Sequence, residues 1–278
     1  MSAAPTEPKT ATGTPPEAEM PGAGPAPAGR LAVVGLGPGP DAWLTGEAAD
    51  EIAAATDLVG YLPYVARCPE RPGQVRHASD NRVEINRARQ AIALARAGRR
   101  VAVVSGGDPG VFAMAAAVVE AIGTDPQPAD YDFAVLPGVS AMQAAAARLG
   151  AALGGDFCAI SLSDNLKPWS VVEKRLVAAA TGDFAMAFYN PASKARPDGI
   201  HAAFAVLRRL KAGTTPVAFA RAVGRPDEAM VVTTLAEAEP ARADMATLVL
   251  VGSSQTRLVT GPGGRTLLLT PRSVEAER

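Results

Sequence analysis

Short apolar segments alternate with helix-forming segments along most of this chain, and this alternation constrains its fold more than any other feature. Residues 31–34 and 100–104 are valine-rich runs of strand length. Between them, residues 84–97 place their apolar positions three and four apart, on one face of a helix, and Gly98 is a stop signal. Strands that alternate with helices pack as layers, so we expect an α/β fold.

The alternation continues to about residue 251. We expect further strands at residues 133–136, 157–162, 184–189, 217–220, 230–233 and 247–251, and helices at 109–122, from Ser140, from Ser170 and at 199–210. Helix starts are indicated by three capping-box pairs, which are Asn81 with Glu84, Ser140 with Gln143, and Ser170 with Glu173. Because no helix separates the last two strands, they predict an antiparallel pair.

Shifts in composition predict the domain organisation. Residues 1–29 are rich in Pro, Ala, Gly, Thr and Glu without a hydrophobic period, which predicts a disordered tail. An Ala- and Gly-rich stretch at residues 144–155 predicts the join between one α/β domain at 30–145 and another at 146–258. Residues 259–278 predict a C-terminal polar tail.

Composition argues against several classes of protein. The 278 residues carry a formal net charge of −1 and no basic stripe, which disfavours binding to nucleic acid or to a membrane surface. Two cysteines and two histidines are too few for a disulfide framework or a histidine-based metal site, so we expect no metal. No run of about eighteen apolar residues occurs, and the N-terminus lacks an apolar signal core, so we expect a cytoplasmic protein.

Three glycine-bearing turns follow predicted strands in the first half, at residues 35–39, 105–110 and 137–140. Ligands of open α/β sheets bind outside the carboxyl ends of the strands, and glycine there allows close approach to the backbone. Together the turns predict a cofactor cleft, although each alone also fits ordinary punctuation, such as Asp108 capping a helix before Pro109. A dinucleotide fold is disfavoured, because the third glycine of the first turn comes one residue early.

These turns, with a later motif, resemble one known family in their order and spacing. That family is the tetrapyrrole methylases, and the motifs here are Gly-Leu-Gly-Pro-Gly at 35–39, Gly-Gly-Asp-Pro-Gly at 106–110, Pro-Gly-Val-Ser at 137–140 and Gly-Arg-Pro at 224–226. Residues 161–169 and 187–194 further resemble the members that methylate ring carbon 17 of a corrin precursor. The resemblance covers about residues 31–255.

The resemblance implies two α/β domains with S-adenosylmethionine (SAM) bound in the cleft between them, in a homodimer. The cofactor-binding residues that it implies are Pro38, Gly106, Gly107, Asp108, Val111, Ser140, Ala141, Asn190 and Gly224. The implied reaction is methylation of precorrin-3B at ring carbon 17, with contraction of the macrocycle to precorrin-4, in cobalamin biosynthesis.

The catalytic residues stay unassigned at this point. Ring contraction needs a positioned base and acid. Relatives that methylate uroporphyrinogen III carry an aspartate proposed as a proton acceptor, but the equivalent position here is Leu62. This difference argues against uroporphyrinogen III as the substrate.

A tetrapyrrole carries many carboxylates, so its site is expected to offer arginine and lysine. The substrate-binding candidates are Lys167, Arg221 and Arg225, with Trp169 as a flat apolar contact, while Lys194 and Arg196 fit solvated surface charges slightly better. Two alternatives stay open. One is another SAM-dependent tetrapyrrole methyltransferase, acting on cobalt-factor III or on a different corrin carbon, and the other is a SAM-binding module without catalysis.

Overall fold

A parallel sheet forms the first half of the described chain, which comprises residues 29–80, 83–128, 130–193 and 195–273 of a computed structural model. Its strands are β1 (Arg30–Gly35), β2 (Asp57–Tyr61), β3 (Val75–Ser79), β4 (Arg100–Ser105) and β5 (Asp132–Leu136). The helices are α1 (Gly46–Ala54), α2 (Leu62–Val65), α3 (Glu84–Arg96) and α4 (Met114–Gly123). The five strands lie in the order β3-β2-β4-β1-β5 and are all parallel.

Helices cover both faces of this sheet, so strand β1 is buried on both sides. Leu31 and Val33 pack into one core with residues of α3 and α4. Ala32 and Val34 pack into a second core with residues of α1. A strand buried on both faces appears in the sequence as a continuous apolar run. The parallel direction brings the carboxyl ends of all five strands to one edge of the sheet.

A mixed sheet forms the second half. Its elements are α5 (Ala141–Leu149), β6 (Gly150–Ala151), β7 (Phe157–Ser161), α6 (Trp169–Thr181), β8 (Ala185–Tyr189), α7 (Gly199–Leu210), β9 (Pro216–Arg221), β10 (Ala229–Thr234) and β11 (Thr247–Val251). Five of these strands lie in the order β10-β9-β11-β8-β7. Only β7 and β8 are paired in parallel, whereas β11 runs antiparallel to both β8 and β9. The prediction that β10 and β11 pair is wrong, because β9 lies between them.

Helix α5 packs against the second sheet although it lies mostly within the predicted first domain. Ala144, Ala145 and Leu149 share a core with Ala187 of β8 and Ala218 of β9. Helices α6 and α7 cover the opposite face of that sheet. The change from one sheet to the other therefore occurs at about residues 137–140, earlier than the stretch 144–155. The division into two domains stays a prediction.

A hairpin follows the second sheet, where the sequence predicted a polar tail. Strands β12 (Arg257–Thr260) and β13 (Thr266–Leu269) pair antiparallel, and β13 adds β6 in parallel. Leu268 is 3% exposed and joins the core beneath α5. The prediction of a tail is wrong for residues 259–269. Alternate side chains of β13 face opposite sides, and burial of Leu268 on one side is sufficient to anchor this short strand.

Two predicted helix starts are also wrong. The helix predicted at 109–122 begins at Met114, because the backbone before it forms a turn in which Phe112 has a φ of 52°. Helix α6 begins at Trp169, so Ser170 lies inside it and Pro168 is the N-cap residue, without a side-chain cap. The capping box of Ser140 and Gln143 is confirmed. Asn81 lies outside the described residues, as do residues 1–28 of the predicted tail.

Candidate active site

Backbone hydrogen bonds join the first two glycine turns. The Gly37 N–H donates to the Gly107 oxygen, and the Gly107 N–H donates to the Gly37 oxygen, both at 3.1 Å. Both residues have a positive φ, 64° and 69°, which glycine adopts without strain. Two of the predicted cofactor loops are therefore fixed against each other at the edge of the sheet.

Asp108 links the second turn to the third. Its Oδ1 accepts a hydrogen bond from the Gly110 N–H at 2.8 Å, and its Oδ2 accepts one from the Gly138 N–H at 3.1 Å. Because α4 begins only at Met114, Asp108 is not a helix cap, and that interpretation is wrong. The carboxylate instead fixes two loops relative to each other. Val111 lies in the same turn, where its N–H donates to the backbone carbonyl oxygen of Asp108 at 3.3 Å.

Space lies beside Gly107, although the neighbouring glycines are tightly packed. A Cβ on Gly138 would lie 2.5 Å from the Gly107 oxygen, whereas a Cβ on Gly107 would meet nothing closer than 4.0 Å. The nearest atoms to that position belong to Val139, Ser140 and Ala141 of the third turn. The second and third turns thus border a small cradle that reaches the backbone of both.

The first turn touches the second half of the chain at Gly224. A Cβ on Gly39 would lie 2.7 Å from the Gly224 Cα, so only glycine allows this approach. Gly224 has a φ of 80°, and its N–H donates to Glu228 Oε2 at 2.6 Å. Arg225 Nε donates to the Pro38 oxygen at 3.0 Å. The structure therefore places the predicted Pro38, Gly224 and Arg225 next to one another.

Arg67 is a residue of this region that the sequence analysis missed. Its guanidinium donates to the oxygens of Leu36, Gly37 and Gly39 at 2.8 to 2.9 Å. Burial lowers the pKa of the guanidinium, and the nearby charge of Arg225 lowers it further. Arg67 holds the first turn in place, and no motif in the sequence around it indicates this role.

Tyr189 joins the second sheet to the third turn. Its hydroxyl accepts a hydrogen bond from the Met142 N–H at 3.1 Å, in the first turn of α5. Burial raises the pKa of the phenol, and the charge of Asp108 adds to this, against hydrogen bonds with Ser140 and Met142. Ser140 is 2% exposed, and Ala141 is the first residue of α5.

Asn190 and Trp169 meet at the carboxyl edge of the second sheet. Asn190 has a φ of 52°, and its Nδ2 donates to Ser161 Oγ at 3.0 Å. It lines a cavity of about 200 Å³ together with Trp169 and Arg196. A groove of about 550 Å³ lies between residues 192–201 and 240–246, and none of the predicted cofactor or substrate residues lines it.

The cationic side chains predicted to bind the substrate differ in how far their charges are already engaged within the protein. Lys167 donates to the Ser163 oxygen at 3.0 Å, and burial, with the charge of Arg175, lowers the pKa of its ammonium. Arg221 forms ion pairs with Asp227 and Asp244, at 2.8 and 2.9 Å. Its charge is thus already balanced by two carboxylates. Lys194 lies outside the described residues.

Two tyrosines lie close in sequence to Leu62, the position that the resemblance aligns with an aspartate of the uroporphyrinogen III methylases. Leu62 is 60% exposed and begins α2. Tyr64 lies against Gly106, where a Cβ would come within 2.6 Å of its ring, and Tyr61 contacts Tyr64 edge to face. Among the residues that the structure describes, no group of three His, Cys, Asp or Glu side chains is placed to hold a metal ion.

Comparison with known proteins identifies the class. The sequence model of the tetrapyrrole (corrin/porphyrin) methylases matches residues 30–239. This match spans more than half of the chain, and it includes the glycine turns at the edge of the first sheet. The chain belongs to the tetrapyrrole methylase family.

The most informative relatives lie within one branch of that family. The precorrin-3B C(17)-methyltransferase of a Sinorhizobium species is 54% identical over 88% of this chain and 96% of the relative. A probable cobalt-factor III C(17)-methyltransferase of Salmonella typhimurium is 41% identical over 87% and 98%. The crystal structure of the methyltransferase CobJ has a TM-score of 0.84 and 52% identity, covering 87% of this chain and all of CobJ. In the described part of the chain, no helix has the length and apolarity to cross a membrane.

Proposed function

We propose that this protein is a SAM-dependent C-methyltransferase that methylates precorrin-3B at ring carbon 17, with ring contraction to precorrin-4, in cobalamin biosynthesis. The observation that carries the proposal is the 54% identity to a precorrin-3B C(17)-methyltransferase over almost the whole of that relative. The similarity to a cobalt-factor III relative is lower, at 41%. The metal-free substrate is therefore the first candidate, and cobalt-factor III is the second.

The first-half turns fit a cofactor such as SAM. The cradle beside Gly107 is bordered by the third turn, and a ligand in it reaches backbone donors and acceptors of both turns. Asp108 holds the two turns together, because one of its oxygens is bonded within the second turn and the other accepts from Gly138 of the third. The residues that would hold SAM are those implied by the resemblance, namely Pro38, Gly106, Gly107, Asp108, Val111, Ser140, Ala141, Asn190 and Gly224.

SAM supplies an electrophilic methyl group on a sulfonium. The chain's own residues have to align that methyl with the carbon that accepts it, and alignment of two reactants is worth up to about 7–11 kcal/mol. Asp108, Arg67 and the paired glycines make the turns rigid through backbone contacts. Rigid turns keep this alignment without loss of further conformational entropy on binding.

Substrate carboxylates are expected to meet the cations at the carboxyl edges of the two sheets. Lys167 and Arg225 lie on loops there, and the donated bonds of each still leave further N–H groups. Arg221 is a weaker candidate, because Asp227 and Asp244 hold its guanidinium. Trp169 stays a candidate for the flat contact, since it lines the cavity beside Asn190.

Incubation of the full chain with SAM and precorrin-3B, followed by mass spectrometry and NMR of the product, tests the proposal. We expect one added methyl group on ring carbon 17 and a contracted macrocycle. A parallel incubation with cobalt-factor III tests the second candidate. A methyl group on another carbon would assign a different reaction of the family. SAM binding without turnover of any tetrapyrrole would indicate a non-catalytic module.

Three further properties stay proposals. SAM is expected to bind once per chain, which titration calorimetry measures. The homodimer is tested by light scattering of the purified protein. The cytoplasmic location is tested by cell fractionation.

A further inference from the structure

Phe112 combines backbone strain with exposure. Its φ is 52°, in the left-handed region that non-glycine residues rarely occupy. The residue is 50% exposed, so solvent rather than the core meets much of its ring. This conformation is strained for a bulky residue, and such strain clusters at sites of function.

The hydrogen bonds around Phe112 explain how the strain persists. Asp108 accepts from the Gly110 N–H on one side, and the Ala115 N–H donates to the Pro109 oxygen on the other. Both bonds involve the backbone of the turn, and neither involves the Phe112 ring. The turn would therefore keep its shape with glycine at this position, and a phenyl group is not needed to build it.

The ring lies where the two halves of the chain meet. Its centroid is 5.3 Å from that of Tyr189, with the two planes 57° apart. The Tyr189 hydroxyl is fixed by the Met142 N–H, so this neighbour is itself held in place. One edge of Phe112 is thus supported by the second sheet, and the remaining ring surface is open.

A second exposed apolar side chain occurs directly after the neighbouring strand. Leu62, 60% exposed, follows β2, which pairs with the strand β4 that precedes Phe112. Both residues follow the carboxyl ends of their strands, on the edge that carries the glycine turns. Exposed apolar groups at the edge of a ligand cleft favour a ligand that has an apolar face.

We infer that Phe112 is a substrate-contacting residue, whose ring packs against one face of the tetrapyrrole macrocycle and fixes its position relative to the methyl donor. This inference rests on the proposed function, which supplies a large macrocyclic ligand with conjugated segments and apolar ring methyl groups. Aromatic side chains stack on such surfaces in offset or tilted geometry. Tyr189 behind the ring prevents it from turning away when the substrate enters.

Three substitutions test this contact. Phe112→Gly removes the ring and relieves the strain, Phe112→Leu keeps an apolar group, and Phe112→Tyr keeps the aromatic ring. The matched control is Phe133→Leu, because Phe133 is also partly exposed, at 37%, but lies at the opposite, amino end of its strand. The measurements are KM and kcat for precorrin-3B, the Kd of SAM, and Tm.

Phe112→Gly is expected to raise the KM for precorrin-3B about tenfold, which corresponds to about 1.4 kcal/mol and is the size of effect expected from one aromatic contact. The Kd of SAM should stay within about twofold of the wild-type value, and Tm should not fall, because glycine suits a positive φ. The KM of Phe112→Tyr should be close to that of the wild type, and the KM of Phe112→Leu should lie between those of the wild type and Phe112→Gly. Phe133→Leu should leave KM unchanged.

Two results would overturn the inference. An unchanged KM in Phe112→Gly would show that the ring does not meet the substrate. An equal loss of SAM and substrate affinity would show that it acts on the cofactor turn instead. Equilibrium binding of precorrin-3B with S-adenosylhomocysteine present separates this inference from the proposed function. A wild-type protein that binds precorrin-3B without methylating it would contradict the function alone, and no binding would contradict both.

Discussion

The two sheets of this protein present their loops in different ways. In the first sheet all five strands are parallel, so every strand ends at the same edge. In the second sheet β7, β8 and β9 run in one direction, and β10 and β11 run in the opposite direction. This follows because β7 is parallel to β8, β11 is antiparallel to β8 and β9, and β10 is antiparallel to β9. Both sheets therefore place loops from several strands at one edge, but only the first is covered by helices at every crossover.

This difference is reflected in how the loops are fixed. The turns of the first sheet bond to one another, through the Gly37 and Gly107 backbones and through Asp108. The loops of the second sheet are fixed by side chains, as Asn190 is by Ser161 and Gly224 by Glu228, whereas paired backbones and side chains together fix the turns of the first sheet. The turns of the first half are therefore bonded to one another as a cradle, and the second half adjoins the first turn at Gly224 and Arg225.

The largest expected effect comes from the buried carboxylate of the first half. Asp57 is 2% exposed, and it accepts from His77 at 2.8 Å and from Arg99 at 2.7 Å. Asp57→Asn is expected to lower the free energy of unfolding by about 3–5 kcal/mol, because the neutral amide weakens both charge-assisted hydrogen bonds, and each of these is worth about 1.5–3 kcal/mol. Denaturant titration measures this. The matched variant in the second half is Asp244→Asn, whose side chain is 48% exposed, and it should cost about 1 kcal/mol or less.

The same carboxylate predicts a pH dependence. Burial alone would raise the pKa of Asp57, but hydrogen bonds from His77, Thr56 and Arg99 outweigh it and lower the pKa. Its contribution to stability is therefore complete above the unfolded pKa of about 3.9, and it is lost as the pH falls through the folded pKa. In Asp57→Asn the free energy of unfolding should depend less steeply on pH in this acidic range. The same pH dependence in the variant and the wild type would contradict this role of Asp57.

The next effect tests whether the hairpin belongs to the second half. Leu268 is 3% exposed beneath α5, whereas Leu258 in the partner strand is 52% exposed. Leu268→Ala is expected to destabilise the protein by about 2–5 kcal/mol through the cavity it leaves. Leu258→Ala should change stability by about 0.5 kcal/mol at most. Equal effects of the two variants in thermal unfolding would show that the hairpin is peripheral.

The contact between the halves is tested at Gly39. A Cβ there would press on the Gly224 backbone, so Gly39→Ala has to separate the first turn from the second half. A displacement of about 1 Å costs about 100-fold in rate, so kcat/KM should fall by about that factor. Gly46→Ala is the control, because a Cβ on Gly46 meets nothing within 4 Å. Normal activity of Gly39→Ala would mean that the two halves act independently.

The smallest expected effect concerns the bridge within the cradle. Asp108→Asn replaces one carboxylate oxygen with an amide group, so either Gly110 or Gly138 loses its acceptor. Charge-assisted hydrogen bonds are worth about 1.5–3 kcal/mol, so SAM affinity should fall about tenfold and Tm should decrease. Asp50→Asn, on the exposed side of α1, is the control. A loss of SAM affinity without any loss of Tm would show that the carboxylate meets the cofactor directly.

Most of the fold could be predicted because strands buried on both faces and helices with one apolar face have clear periods. Strand β1 and helix α7 were found at nearly their observed bounds. The start of α4 was missed, because Pro109 and Asp108 resemble a helix start until the backbone turns at Phe112. The hairpin was missed because strands of four residues give almost no period.

The α/β class and the positions of the glycine turns could be predicted from the sequence alone, because they depend on local periodicity and on residues a few positions apart, and the family was indicated by the resemblance of those motifs. Which of these residues contact one another became clear from the folded structure. The contact of Gly39 with Gly224, the bridge from Asp108 to Gly138, and the binding of Arg67 to the first turn all join distant segments. Such contacts depend on how the sheets pack, and packing is a property of the whole chain rather than of any segment.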